Sequence, residues 1–193
     1  MISRSTRRIH TLRSSAAFTL PAAIEETFAR ESEELRWLAA VILGGEQHVE
    51  ECIVDAFRLA EVGEYVFREW LRRWAQRATV RAALEKVRPE ILSSAQIHAR
   101  PSHDSGVPAL AVAEKRALRS IAIERIQAEC DPFERAALVL HGYLGFSAQD
   151  CALLLGGQRS AILPACASAL SKVFKRIPLV ESASEDLLAW KKS

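Results

Sequence analysis

Apolar residues recur at helical spacing along most of this chain. From Glu31 to Gly44 they stand at positions i, i+3, i+4, i+7 and i+8, which places them on one face of a helix. The glycine pair that follows is typical of a helix end. The same spacing predicts further helices over the segments Glu46–Glu61, Glu64–Arg88, Leu110–Glu129, Phe133–Leu140, Ala148–Leu155 and Arg159–Arg176. The sequence therefore predicts an all-α fold.

A segment without this periodicity divides the chain into two small helical domains. Residues 89–109 are rich in Pro, Ser and Gly, and Pro89 disfavours continuation of the preceding helix. We expect this segment to be an interdomain linker. The predicted organisation is a disordered basic N-terminal arm at 1–24, a helical domain at 25–88, the linker at 89–109, a second helical domain at 110–177 and a C-terminal tail at 178–193.

The N-terminal arm has a distinctive composition. Residues 1–24 contain no acidic side chain, whereas four arginines stand among serines and threonines. Two interpretations are compatible with this composition, an organelle transit peptide and a disordered basic arm. We favour the arm because the rest of the chain has the character of a bacterial protein. A secretory signal is disfavoured, since the apolar stretch at 16–24 is short and is broken by Thr19 and Pro21.

The second domain carries the signals of two helices joined by a tight turn. The sequence D-P-F-E at Asp131–Glu134 supplies an N-cap, a proline at the first helical position and a capping-box carboxylate. The sequence S-A-Q-D at Ser147–Asp150 repeats the capping pattern before a short helix that ends at Gly156–Gly157. The long segment Arg159–Arg176 follows. This order predicts that the second domain is a helix-turn-helix.

Composition limits the classes of function. The 193 residues are 49% hydrophobic and 26% charged, and their net charge of +2 provides no large basic field, so DNA binding has to come from local clusters. None of the four cysteines belongs to a C-x-x-C pair, which favours buried thiols in a reducing cytoplasm over disulfides or zinc. No apolar run approaches the ~20 residues of a membrane span. We therefore expect a cytoplasmic protein without a membrane partner.

Catalytic motifs are missing from the sequence. It contains no glycine-rich phosphate loop, no Ser-His-Asp arrangement and no H-E-x-x-H arrangement. His98 and His103 lie in the predicted linker without acidic or thiol partners, and we expect them to be solvated side chains rather than metal ligands. The sequence predicts a binding protein rather than an enzyme, with no cofactor and no metal.

Three segments carry a resemblance to a known family. They are H-V-E-E-C-I-V-D-A-F at His48–Phe57, F-R-E-W-L-R-R-W-A-Q-R at Phe67–Arg77 and E-R-A-A-L-V-L-H-G-Y-L-G-F-S-A-Q-D-C-A-L-L-L-G at Glu134–Gly156. The first resembles the acidic helix, and the second the aromatic helix, of region two in extracytoplasmic-function sigma factors. The third is similar to region four of the same family. Their order and spacing, over about Leu35–Val173, suit a class that keeps only these two regions.

The resemblance implies a transcription initiation protein that binds core RNA polymerase and promoter DNA, with an anti-sigma factor as a potential partner. Region two would capture the melted minus-ten strand, and region four would contact the upstream duplex. The acids expected to dock on the polymerase are Glu50, Glu51 and Asp55. The residues expected to contact DNA are Arg68, Arg72, Arg73, Arg77, Arg81, Gln158, Arg159, Ser160 and Lys172.

Several of these assignments have an alternative. The arginines and the three acids also suit an ordinary solvated surface. Trp70 and Trp74 could stack on a flipped base, but they lie within the apolar stripe, and we expect them to pack in the core. No charged residue occurs between Ser160 and Ser171, which favours a degenerate sigma-like protein that binds proteins but reads no promoter. A third interpretation is a stand-alone helix-turn-helix regulator that acts as a dimer.

Overall fold

The computed structural model describes residues 20–61, 69–98 and 108–174. Within these ranges all regular secondary structure is helical, which confirms the predicted all-α class. A π-helical segment, Leu138–Tyr143, continues directly from α8. The helices are α1 (Leu20–Arg30), α2 (Ser32–Leu43), α3 (Val49–Glu61), α4 (Glu69–Lys86), α5 (Arg88–Ile97), α6 (Val112–Arg119), α7 (Ile123–Glu129), α8 (Pro132–Ala137), α9 (Ala148–Leu155) and α10 (Arg159–Phe174). None of these described helices is both long and apolar enough to cross a membrane.

The first half of the chain is a bundle with α2 at its centre. Leu35, Leu38 and Ile42 on α2 are fully buried, as the apolar spacing predicts. Helices α3 and α4 pack on α2 and on each other. Small side chains face this contact and allow the two helix axes to approach closely. The buried small residues of α3 and α4 are Cys52, Ala56, Ala60, Ala75, Ala78, Ala82 and Ala83.

Helix α1 begins inside the stretch that was predicted to be a disordered arm. Ile24 is buried, and the ring of Phe28 packs edge-to-face on Phe57 of α3 with 5.4 Å between ring centroids. Pro21 does not oppose this helix because it is the second helical residue, where its missing N–H has no acceptor within the helix. The boundary at residue 24 was therefore wrong, and residues 1–19 lie outside the described residues.

Helix α5 occupies part of the stretch that was predicted to be a linker. Pro89 again lies in the first turn of a helix, where it is tolerated. Ile91 and Ser94 are buried, and α5 contacts both α8 and α9. The linker prediction was therefore wrong for residues 89–97, and residues 99–107 lie outside the described ranges.

The segment Leu110–Glu129 contains two short helices where the periodicity predicts one continuous pattern. The Ser120 hydroxyl donates to the carbonyl of Ala117 at 2.7 Å and closes α6. The break redirects the chain before α7. Because of it, Leu118 on α6, Ile121 in the break itself and Ile126 on α7 all enter the core.

The predicted helix-turn-helix is formed by α9 and α10, with α8 in front of them. The Asp131 carboxylate accepts the N–H groups of Phe133 and Glu134 at 2.9 and 3.0 Å, and Glu134 accepts the Asp131 N–H at 3.0 Å, so the first capping box is present. The Ser147 hydroxyl accepts the N–H of Asp150 at 3.1 Å and donates to its carboxylate at 2.7 Å. The second helix start was therefore also predicted at the right residue.

The two halves of the chain share one continuous cluster of buried side chains. The rings of Trp37 on α2 and Tyr143 on the π-helical segment lie 4.9 Å apart. Helix α2 is followed by its C-terminal cap Gly44, whose φ of +79° favours glycine. The guanidinium of Arg135, which belongs to the second half of the chain, lies against Gly44. Its Nη2 is only 2.6 Å from the position that the Cβ of any other residue at position 44 would occupy. Contacts between the halves therefore add to the covalent connection through α5.

Candidate functional site

The three predicted polymerase-binding acids share the solvent side of α3. The side chains of Glu50 and Glu51 are 72% and 67% exposed, and that of Asp55 is 44% exposed. Glu50 pairs with Arg36, and Lys86 lies 3.0 Å from Asp55 and 3.7 Å from Glu51. Exposed pairs of this kind contribute at most about 1 kcal/mol each. These acids therefore remain available to a basic partner.

Three of the predicted DNA-binding arginines form a row on α4. Arg73, Arg77 and Arg81 are exposed and are spaced four residues apart, so they follow one face of the helix. The guanidinium of Arg77 lies over the ring of Phe146 at 5.6 Å, and Arg81 donates to Glu85 at 3.0 Å. We call these three residues the arginine row. It places three cationic groups along an open surface.

Arg72 does not belong to this row. Its Nη2 donates to Glu34 at 2.7 Å, and its Nε lies 3.2 Å from Glu31. Glu34 is 5% exposed, so the charge of Arg72 neutralises a buried carboxylate of the bundle. The structure therefore gives Arg72 a role within the fold. Arg68 lies outside the described residues.

Helix α10 presents few polar groups along its solvent face. Gln158, Arg159 and Ser160 are exposed at its beginning, where the sequence predicts base contacts. Between this first turn and the exposed Ser171 the face is half-buried and mostly apolar, with Leu163, Pro164, Ala167 and Leu170. Base-edge readout in the major groove depends on polar side chains such as Arg, Asn, Gln or Lys. The polar groups that α10 can offer are therefore concentrated in its first turn.

Lys172, which was predicted to bind DNA, is engaged by a buried acid. Its Nζ lies 2.6 and 2.7 Å from the two carboxylate oxygens of Glu134, which is 1% exposed. The Ser168 hydroxyl donates to the same carboxylate at 2.6 Å. The sequence revealed Glu134 only as a capping residue. The structure adds that its carboxylate connects α8 to α10.

Glu34 is a second buried acid that the sequence analysis missed. The Tyr143 hydroxyl donates to Glu34 Oε1 at 2.7 Å, and Arg72 donates to the other carboxylate oxygen, Oε2. Burial raises the pKa of Glu34, but the hydrogen bonds from Arg72 and Tyr143 and the charge of Arg72 outweigh it and hold that pKa below its usual 4.5. Burial, and then the hydrogen bond to Glu34, raises the pKa of Tyr143 to about 12. The one sequence signal was the position of Glu34 beside Leu35, at the edge of the apolar stripe.

His98 is not the solvated side chain that the sequence predicted. Its Nε2 lies 2.8 Å from Asp131 Oδ2, and its ring stacks on Phe133 with centroids 5.3 Å apart. One ligand atom each from His98, Asp131 and Glu134 fall within 4.8 Å of one another, a separation that could hold a metal ion. However, Asp131 already caps α8 and Glu134 is already ion-paired. The hydrogen bonds of this cluster account for its geometry. His103 lies outside the described residues.

The prediction of buried thiols is confirmed. All four cysteines are free and buried. Burial raises the pKa of the Cys52 and Cys166 thiols to about 11, and that of the Cys130 and Cys151 thiols to about 12. They therefore remain protonated near neutral pH and react slowly.

Trp74 also lies where the sequence predicted it, half-buried and packed against the core. The side chain of Trp70 lies outside what the structure describes.

Comparison with known proteins gives no match: no family model, no curated protein and no solved structure is significantly similar to this chain.

Proposed function

We propose that this protein is a sigma-factor-like transcription initiation protein of the cytoplasm that binds core RNA polymerase and promoter DNA. The observation that carries the proposal is the shared exposed face of α3, where Glu50, Glu51 and Asp55 stand together. This is the helix whose sequence resembles the polymerase-docking helix of the family. The helix-turn-helix in the second half, joined to the first by α5, supports the same proposal.

The DNA contact that we propose in the first half is made by the arginine row. Arginine side chains along one helix face can bind successive phosphates and stack on exposed bases. Arg73 has no ion-pair partner among the described residues, and the pair between Arg81 and Glu85 is exposed on both sides. Phosphates can therefore compete for these guanidinium groups. Arg72 and Lys172 are left out of this surface because buried acids hold them.

Reversing the charge of the α3 face should weaken polymerase binding. We expect the triple change of Glu50, Glu51 and Asp55 to lysine to reduce affinity for core RNA polymerase at least about tenfold, or about 1.4 kcal/mol. The physical reason is that like charges would face the basic surface of the partner. Co-purification and surface plasmon resonance with purified core enzyme measure this change, and far-ultraviolet circular dichroism checks the fold.

A matched triple variant controls for the change in net charge. Glu25, Glu90 and Glu124 are exposed acids on α1, α5 and α7. Their replacement by lysine should leave polymerase affinity within about threefold of the unmodified protein, because these residues lie outside the α3 face. Equal losses in both variants would show a general charge effect and would contradict the assignment of α3.

A second candidate function keeps polymerase binding but omits promoter recognition. The apolar solvent face of α10, from Leu163 to Leu170, favours it, because this face offers no charged group to a duplex. The two candidates differ in what the arginine row does.

If the row binds DNA, replacing Arg73, Arg77 and Arg81 by alanine should flatten the salt dependence of single-strand binding. Each lost phosphate contact removes about 0.7 from the slope of log affinity against log salt, so the three together remove about 2. Fluorescence anisotropy with a labelled oligonucleotide at several salt concentrations measures the slope. The control is the same loss of charge at other exposed arginines, Arg36, Arg58 and Arg116. A slope that both variants share with the unmodified protein would favour the second candidate.

A further inference from the structure

An open apolar groove lies between the two halves of the molecule. Its volume is about 550 Å³, which is within the range of about 300–1,000 Å³ that is usual for ligand clefts. Helices α3 and α4 form one wall and α9 forms the other. The apolar side chains that line it include Leu59, Trp74, Leu84, Phe146, Leu153 and Leu154. We call this cleft the leucine groove.

The leucine groove exposes apolar side chains to an unusual degree. Leu153 is 72% exposed and Leu154 is 40% exposed, although both belong to a helix whose other face is buried. Scattered apolar residues on a surface are ordinary, but a contiguous apolar patch inside a concave cleft marks a binding site. Arg77 and Arg81 stand on the α4 side of the groove, and Asp150 stands on the α9 side. An occupant should therefore combine apolar side chains with acidic groups and a basic group.

We propose that the occupant is the segment 185–192 of this same chain. Its sequence is E-D-L-L-A-W-K-K, in which two acids precede the apolar Leu187, Leu188 and Trp190, and two lysines follow. The acids complement Arg77 and Arg81, the apolar residues complement the floor of the groove, and a lysine complements Asp150. The docking does not depend on the proposed function, but it engages Arg77 and Arg81 of the arginine row, so a docked segment and a DNA strand would compete for these two residues.

The connection between α10 and this segment is long enough for it to reach the groove. The described part of the chain ends at Phe174, the last residue of α10. The groove is lined by α9, and the turn after α9 leads into the beginning of α10. The chain after Phe174 therefore starts from the far end of α10, and it has to run back along this helix, whose 16 residues span about 24 Å, to reach the groove. The 13 residues after Phe174, up to and including Leu187, span up to about 43 Å when extended, counted at about 3.3 Å each. Docking in the same molecule is therefore sterically accessible.

Disulfide trapping in the full-length chain tests the proposal. We would introduce Leu153→Cys in the groove together with Ala189→Cys in the segment. A disulfide forms only when the two Cα atoms come within about 7 Å, so its rate reports proximity. The four native cysteines are buried, with pKa values raised by burial, and they do not compete. The matched control is Val112→Cys with Ala189→Cys, because Val112 is 77% exposed but does not line the groove.

We expect the groove pair to form an intramolecular disulfide about tenfold faster than the control pair, at a rate that does not depend on protein concentration. Adding Arg81→Glu should slow this reaction several-fold, and the further change Asp186→Arg should restore it. Equal rates for the groove and control pairs would overturn the proposal. A disulfide between two chains whose yield rises with concentration would also overturn it, since the occupant would then be a second copy.

Discussion

Replacing Lys172 with methionine is expected to lower the free energy of unfolding by about 2–4 kcal/mol. Lys172 is the only ion-pair partner of Glu134 in the described part of the chain, and that carboxylate is 1% exposed. Removal of one partner from a fully buried pair costs about 3–5 kcal/mol, because the other charge stays buried. The lysine side chain is 40% exposed, so water compensates part of this loss. Urea denaturation followed by circular dichroism measures the change.

Two further variants make this result specific. Lys86→Met is the matched control, because the ammonium of Lys86 pairs with the exposed acids Asp55 and Glu51 and its loss should cost less than about 1 kcal/mol. Adding Glu134→Gln to Lys172→Met should recover most of the stability, since glutamine removes the buried charge, its oxygen can still accept the Asp131 N–H, and its amide nitrogen can donate to the Ser168 hydroxyl. Unchanged stability together with weaker DNA binding in Lys172→Met would instead make this residue a DNA contact.

The sequence predicted those parts of the fold that depend on local patterns. The apolar stripe of α2 is visible in the spacing of its own residues, and the capping residues Asp131 and Ser147 lie within three positions of the N–H groups that they accept. Helix periodicity and capping are properties of such short segments. For this reason α2 and α9 are found where the sequence placed them, and α8 begins where it was predicted, although it ends at Ala137 and continues as the π-helical segment rather than ending at Leu140.

The two largest errors concern prolines at helix starts. Pro89 was interpreted as a sign that the preceding helix could not continue, and Pro21 as a break in an apolar stretch, but each lies in the first turn of a helix, α1 and α5. A proline in the first turn lacks only an N–H that would have no acceptor within the helix. A proline therefore indicates a helix start as readily as an interruption, and the buried Ile24 and Ile91 decide between the two.

The polar contacts that change the candidate site could not be predicted from local pattern. Glu34 and Tyr143 are 109 residues apart in the sequence, and Glu134 and Lys172 are 38 residues apart. Each pair forms only after the tertiary fold brings distant helices together. Without these pairings, Arg72 and Lys172 look like free surface cations, which is why the sequence analysis counted both among the residues expected to contact DNA. Buried acids are therefore what separates structural from available cations in this chain.

Replacing Arg72 with methionine should also destabilise the protein, by about 2–3 kcal/mol near neutral pH. Arg72 holds the buried Glu34 carboxylate in its charged form, together with the hydroxyl of Tyr143. Without the guanidinium, the carboxylate keeps the hydroxyl but loses its counter-charge. The arginine side chain is 55% exposed, which places the expected loss below that for a fully buried pair. Arg73→Met is the control on the same helix, since Arg73 is exposed and forms no ion pair with any described residue, and it should change stability by less than about 0.5 kcal/mol.

The destabilisation of Arg72→Met should depend on pH with a definite sign. In the unmodified protein the pKa of Glu34 lies below its usual 4.5, because the bonds from Arg72 and Tyr143 outweigh the effect of burial. A lowered folded-state pKa gives stability that is present above the unfolded-state pKa and is lost as the pH falls. In the variant, burial acts without its counter-charge and raises that pKa, so protonation relieves the buried charge. The difference in unfolding free energy between the two proteins should therefore be largest near neutral pH and should shrink on acidification to about pH 4. Urea midpoints at both pH values measure it. A difference that stays constant with pH would mean that Arg72 acts through the packing of its side chain rather than through the charge of Glu34.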